Sequence, residues 1–186
     1  AVLALAFLGG RMLERVHIGV VSKALVWAGS VWMAVVVYAF LAALACDLVR
    51  LAHRVRPFLP QALTPRRVVS GLAGAIALAV AAGAVNAGQV RTPAFEVPVA
   101  KRAGDLRELR VVLASDIHLG TVVGRQRFGR IVAAIQSLRP DVILLAGDVI
   151  DEDLAPVLAE DVGEHLRDLR APYGVFAVTG NHEYIG

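Results

Sequence analysis

Two long stretches without a charged residue, 24–45 and 68–90, restrict what this chain can fold into more than anything else in it. Each is long enough to cross a bilayer, which takes roughly 20 apolar residues in a helix. In lipid a single segment satisfies its backbone polar groups only as a helix, so both are expected to be transmembrane helices. Trp27 stands near the start of the first run, Trp32 and Tyr38 lie further in, and Asp47 and Arg50 close it. The second run is rich in Ala and Gly, which suits close helix packing in lipid. Residues 1–8 read as the tail of a further membrane helix, interrupted by Arg11, Glu14 and Arg15. A buried helix of a soluble protein has a similar composition, but two such runs in one half of a chain argue against it.

Charge separates the same two halves. Hydrophobic residues make up 57% of the 186-residue chain, against roughly 45–50% in ordinary soluble domains, and the excess is in the first half. Up to Arg91 there are nine Lys/Arg and two Asp/Glu; from Thr92 onward there are ten and fourteen. The net charge of +3 therefore does not point to nucleic acid, because the basic residues flank apolar spans and the other half is acidic. Residues 50–67 carry Arg50, Arg54, Arg56, Arg66 and Arg67 with no acid, whereas residues 9–23 carry Arg11, Arg15 and Lys23 against Glu14. The positive-inside rule puts the first of these loops in the cytoplasm, and everything after Val90 outside it. Arg66-Arg67 before an apolar run also has the look of a twin-arginine signal, but a preceding span favours an internal membrane helix. Cys46 is the sole cysteine, so no internal disulfide can form. The expected organisation is a transmembrane helical region over 1–91 and a soluble domain over 92–186, in a cell-membrane, multi-pass protein. The chain reads as a fragment of a longer one, cut at both ends.

After the second run, residues 91–100 read as a short connector, with Pro93 and Pro98 and an edge strand at 95–100. Strands are expected at 109–114, 141–146 and 175–179. A helix is expected over 125–138, with Phe128, Ile131, Val132, Ile135 and Leu138 at helical spacing, and Pro140 follows its end. A second helix is expected over 154–169, with Leu154, Leu158, Val162, Leu166 and Leu169 on one face. Strands alternating with helices predict a parallel sheet covered by helices.

Each strand runs into polar residues. The first delivers Asp116-Ile117-His118-Leu119-Gly120, the second Gly147-Asp148, the third Gly180-Asn181-His182-Glu183. The C-terminal edge of a parallel sheet is where sites collect, and glycines there let the backbone turn sharply. Carboxylate, amide oxygen and imidazole together suit divalent transition metals such as Mn, Fe or Zn. Alone, an Asp after a strand is commonly a helix cap and Gly-Asp is commonly a turn; the argument for a metal site is that three such motifs end three successive strands. His165, between Glu164 and Arg167, reads as solvated, and His17 and His53 as interfacial. Glu152 and Asp153 read first as caps of the second helix, with a metal or substrate role as the alternative. Arg125, Arg127 and Arg130 read as a solvated helix face, with a phosphate-facing role open for Arg125.

Asp116-x-His118, Gly147-Asp148-x-x-Asp151 and Gly180-Asn181-His182-Glu183 together resemble the first three motifs of the calcineurin-like metallophosphoesterases. Leu-Ala-Gly-Asp and Val-Thr-Gly-Asn-His-Glu-Tyr are similar to the bacterial membrane-anchored branch. The resemblance covers roughly residues 96–186. It implies an α/β fold, N-terminal transmembrane helices followed by the first half of a four-layer α/β/β/α sandwich, and a site for two divalent metal ions. It further implies that Asp116 and His118 bind the first metal, that Asp148 bridges both, and that Asn181 binds the second. His182 would be the acid assisting the leaving group, with Asp151 orienting it. The family's later histidine motifs have no counterpart in these residues. The expected function is metal-dependent hydrolysis of a phosphoester at the membrane, on a lipid or lipid-linked cell-envelope substrate. One rival is a non-catalytic membrane protein that keeps the fold for binding or sensing, against which stand His182 and Asp151, neither needed merely to hold metal. A second is a transporter accessory subunit, which rests on the spans alone and predicts no metal dependence.

Overall fold

A computed structural model of the chain describes residues 2–60, 64–101 and 103–185. It divides into two units, residues 1–13 with 20–89, and residues 14–19 with 90–186.

The first unit is helical: α1 (Val2–Glu14), α2 (Val20–Val55) and α3 (Pro65–Ala87). Two helices, α2 and α3, are long and apolar enough to cross a membrane. Their apolar side chains are turned outward, Phe40 for example being 67% exposed. At 36 residues, α2 is about 54 Å long, well beyond the roughly 30 Å of hydrocarbon. It therefore overruns the uncharged stretch at both ends. Its last turns carry Asp47 and Arg50, paired at 3.3 Å, then His53. That imidazole is a helix terminator, its Nδ1 accepting the N–H groups of Phe58 and Leu59 at 2.9 and 3.1 Å. α3 opens on Pro65 after Thr64, where a missing N–H costs nothing. α1 runs through Arg11 instead of stopping at it, and meets α2 at two glycines. A Cβ on Gly10 would stand 2.7 Å from the Val26 nitrogen, and one on Gly29 would collide with the Phe7 backbone. Small residues here allow backbone-to-backbone approach, as they do between helices in lipid.

The second unit is built on β1 (Val111–Ala114), β2 (Val142–Ala146) and β3 (Val175–Val178). They form a parallel sheet in the order β1-β2-β3. This is the α/β arrangement with a parallel sheet expected from the alternation. Between β1 and β2 runs α4 (Arg125–Ser137). Its Phe128, Val132 and Ile135 are buried with Ile143 and Leu145 of β2, and with Val157, Val162 and Leu169. Phe128 is fully buried and gives that core its largest side chain. The other sheet face carries Val111, Leu113, Phe176 and Val178, all exposed.

Three expectations differ from the structure. The helix expected over 154–169 is two short ones, α5 (Ala155–Ala159) and α6 (Gly163–Leu166). Asp161 takes φ +50°, a left-handed conformation that ends a helix and that Asp tolerates better than most residues. The kink buries Val162. Residues 95–100 form no strand, and Phe95, Val97 and Val99 are exposed; with no neighbouring strand their backbone groups turn to water. The connector is accordingly longer than read, spanning residues 88–110 between α3 and β1. Fully extended it would reach about 80 Å at ~3.5 Å per residue. Finally, His165 is half-buried instead of fully solvated, with 27% of its side chain exposed. Its ring meets Phe128 edge-on with centroids 6.4 Å apart, and its Nδ1 lies 3.3 Å from an Asp168 carboxylate oxygen.

Candidate metal centre

The ladder between β1 and β2 does not stop where the strands do. Asp116 N–H donates to the Gly147 carbonyl at 3.3 Å, His118 N–H to Asp148 at 2.9 Å and Leu119 N–H to Val149 at 2.8 Å, while Asp151 N–H donates back to Leu119 at 2.9 Å. The two post-strand loops are thus laced together, with Leu119 fully buried beneath them. Asp116, His118 and Asp148 all adopt positive φ, at +54°, +51° and +50°. Such conformations cost about 1–3 kcal/mol each for non-glycine residues and gather at functional sites. Here they turn alternate side chains of an extended chain out of the sheet and over its C-terminal edge.

β3 joins through glycines. Gly147, at φ +82°, packs so closely that a Cβ would stand 2.8 Å from the Gly180 Cα. A Cβ on Gly180 would in turn collide with the Asp148 carboxylate. Both positions require glycine, one for its dihedral and both for the approach. Across this contact His182 N–H donates to Asp148 Oδ1 at 3.0 Å.

The result brings His118, Asp148 and His182 together, with one potential ligand atom from each lying within 4.8 Å of the others. The two imidazoles meet edge-on with centroids 4.5 Å apart. Asp151 Oδ1 stands 3.4 Å from His182 Nδ1 and 3.9 Å from His118 Nδ1. Both Nδ1 atoms are buried without a hydrogen bond, although buried polar atoms are as a rule bonded. A divalent cation would use such lone pairs, so this donor set fits a metal ion. Asp151, Glu152 and His182 form a second overlapping set. Asp116 and Asn181 sit at the same sheet edge, at the ends of β1 and β3, but both are exposed. Asp116 is outside the His118–Asp148–His182 set, and Asn181 opens the short 3-10 turn His182–Tyr184.

Of the residues read as caps, Asp153 is one, its carboxylate accepting the Ala155 N–H at 2.8 Å. Arg125 does not face the metal edge. Its guanidinium pairs with Glu164 at 2.8 Å and donates to the Glu160 carbonyl at 3.4 Å.

Sequence reasoning passed over Glu183. Its Oε1 accepts N–H groups from Val149 at 2.6 Å and Ile150 at 3.0 Å, and its Oε2 from Asp148 at 3.0 Å and Gly180 at 2.6 Å. Burial works against the ionised carboxylate, but the hydrogen bonds from Ile150, Gly180, Asp148 and Val149 outweigh it and hold its pKa at about 2. Successive N–H groups converging on one point make an anion-binding nest, and the left-handed Asp148 is what turns them inward. The signal in the sequence was only its place as the last letter of Gly-Asn-His-Glu, where it reads equally well as a surface acid.

Residues 109–186 match the family described as calcineurin-like phosphoesterase. Two similar curated proteins are both called transmembrane protein with metallophosphoesterase domain. The one from Danio rerio is 40% identical and the one from Bos taurus 42% identical, each over 55% of this chain and 23% of the relative. A third, the UDP-2,3-diacylglucosamine pyrophosphatase of Chlamydia trachomatis, is 33% identical over 45% of this chain and 25% of its own length. The chain thus spans about a quarter of the curated relatives it matches. No solved structure matches it.

Proposed function

The chain belongs, through residues 109–186, to the calcineurin-like phosphoesterase superfamily, and from that premise we propose that the full-length protein is a membrane-anchored, metal-dependent phosphoesterase. In this reading residues 1–91 are the membrane region and 92–186 the first part of the catalytic domain. The observation that carries it is the pair of buried, unbonded imidazole nitrogens of His118 and His182 beside Asp148 and Asp151. Binding or sensing alone does not need Asp151 held at ion-pair distance from His182.

Two divalent ions, of which Mn, Fe and Zn suit these donors, would be held by Asp116, His118, Asp148 and Asn181, with Asp148 serving both. When bound they supply Lewis-acid polarisation of the phosphoryl oxygens and lower the pKa of water. The chain's own residues do the rest. Asp151 orients His182, which gives a proton to the departing alkoxide as water adds to phosphorus in line and the bond to the leaving oxygen breaks. A second reading makes His182 a ligand, because its ring nitrogen lies with those of His118 and Asp148. Metal content of a His182→Ala variant separates the two: an acid leaves it near wild type, a ligand lowers it.

The arginine-rich loop supports a cytoplasmic position for residues 50–67 and an extracytoplasmic one for the catalytic domain. Tethering to a membrane raises the effective concentration of anything in the same bilayer without a new contact. A phosphorylated lipid or lipid-linked envelope intermediate is then the substrate class this arrangement serves, and one relative's name carries a diacylated sugar nucleotide. The test compares the full-length protein with a version starting at Thr92, on a phospholipid-type ester in vesicles and on a small soluble ester. The expected result is a marked advantage for the anchored form on vesicles and none on the soluble ester. Equal behaviour on both substrates removes the membrane from the mechanism.

A further inference from the structure

Both oxygens of Glu183 are already taken up by four backbone N–H groups. That excludes it as a metal ligand in this arrangement and leaves the question of what the clamp holds. Three of the four donors are the consecutive residues Asp148, Val149 and Ile150, which leave β2; the fourth, Gly180, leaves β3. In return His182 N–H donates to Asp148 Oδ1 at 3.0 Å. The segments 148–150 and 180–183 are therefore joined reciprocally, and at the junction stands Asp148 in a left-handed conformation. Without an acceptor, those N–H groups would be left partly buried and unpaired, which disfavours the conformation that aims the Asp148 carboxylate over the sheet edge.

We infer that Glu183 is a positioning residue, whose carboxylate fixes Asp148 in its metal-binding conformation by filling the nest formed by residues 148–150 and tying it to Gly180. The inference rests on the reading of Asp148 as a metal ligand. Outer partners that orient a ligand typically influence metal affinity about 10–100-fold, and this one acts on a residue assigned to both ions. Glutamine at 183 has the same shape but presents an NH2 to N–H donors, so it breaks two of the four bonds, either those of Val149 and Ile150 or those of Asp148 and Gly180, or forces the side chain out. Aspartate keeps the charge but lacks the reach to span both loops.

The experiment is Mn2+ binding by titration calorimetry on chelator-treated full-length protein, for wild type, Glu183→Gln, Glu183→Asp, Asp148→Asn and the double variant Glu183→Gln/Asp148→Asn, with circular dichroism of each metal-free form. Glu183→Gln is expected to weaken Mn2+ binding about 10–100-fold with an unchanged metal-free spectrum, and Glu183→Asp to fall between it and wild type. In the Asp148→Asn background Glu183→Gln should add little further loss, because residues acting through one another are not additive. A purely structural role predicts the full additional loss there. Wild-type affinity in folded Glu183→Gln overturns the inference, as does a full additive loss in the double variant. If Glu183→Gln does not fold, wild-type affinity in Glu183→Asp overturns it instead. Absence of Mn2+ binding by wild type itself overturns the metal-site reading, and this inference with it.

Discussion

The two halves of this chain solve the same problem in opposite ways. In α2 (Val20–Val55) and α3 (Pro65–Ala87) the backbone polar groups are satisfied within each helix, and apolar side chains such as Phe40 and Leu78 face outward, as a lipid solvent requires. In the sheet of β1, β2 and β3 backbone groups are satisfied between segments distant in sequence, and Phe128, the largest side chain of the core beside it, is fully buried. Among the described residues, the buried side-chain polar atoms without a hydrogen bond lie in the second half: the ring nitrogens of His118 and His182 and the amide oxygen of Gln136. The lesson is that composition organises the first half, whereas the second is organised by which loops its strands bring side by side.

The largest effect should come from the residue on which those loops converge. Asp148→Asn in the full-length protein is expected to lower phosphoester turnover by more than about 100-fold with any divalent ion, since removing a ligand exceeds the cost of losing its outer partners; intact turnover would sink the dinuclear assignment. His182→Ala comes next. A general acid contributes about 10²–10⁴-fold, and the loss should be concentrated on esters with poor leaving groups. Equal losses on activated and unactivated esters would take the proton-donor role away from it.

Stability sharpens the contrast further. Phe128→Ala should cost about 3–5 kcal/mol in unfolding of the soluble unit, followed by denaturant titration. Phe40→Ala should shift the helical unit little, because lipid is as apolar as the side chain it replaces. Comparable losses at both positions would mean that α2 is packed in protein and not in lipid. The mildest intervention is a reporter fusion, which changes no energetics. Placed after Ala100 it should label outside the cytoplasm, and near Pro60 inside; the reverse pattern would refute the orientation drawn from the arginine loop.

Much of the architecture is legible in the sequence. The uncharged runs became α2 and α3, and the periodicity of Phe128, Val132 and Ile135 became the buried face of α4. The strands fell within a residue or two of their expected bounds, and the motifs stand at the sheet edge where they were placed. The misses share a cause. The apolar spacing from Leu154 to Leu169 looked continuous, but it contained no sign that Asp161 would turn left-handed and break the helix. The run 95–100 had strand character and no partner. His165 looked polar among charged neighbours until α6 laid it against Phe128.

What the amino-acid sequence determined by itself was everything governed by composition, period and local chemistry. That covers which segments suit lipid, which faces of a helix are apolar, and which residue types at the strand ends can hold a metal. These depend on nearest neighbours along the chain, so they can be read in one dimension. What only the tertiary structure decided was which of the polar residues meet. It grouped His118 with Asp148 and His182, left Asp116 and Asn181 exposed at the same edge, drew Arg125 away to Glu164, and seated Glu183 beneath three consecutive N–H groups. Those pairings span some thirty residues or more. They exist because left-handed dihedrals and glycine contacts at the ends of three parallel strands bring the loops within hydrogen-bond reach.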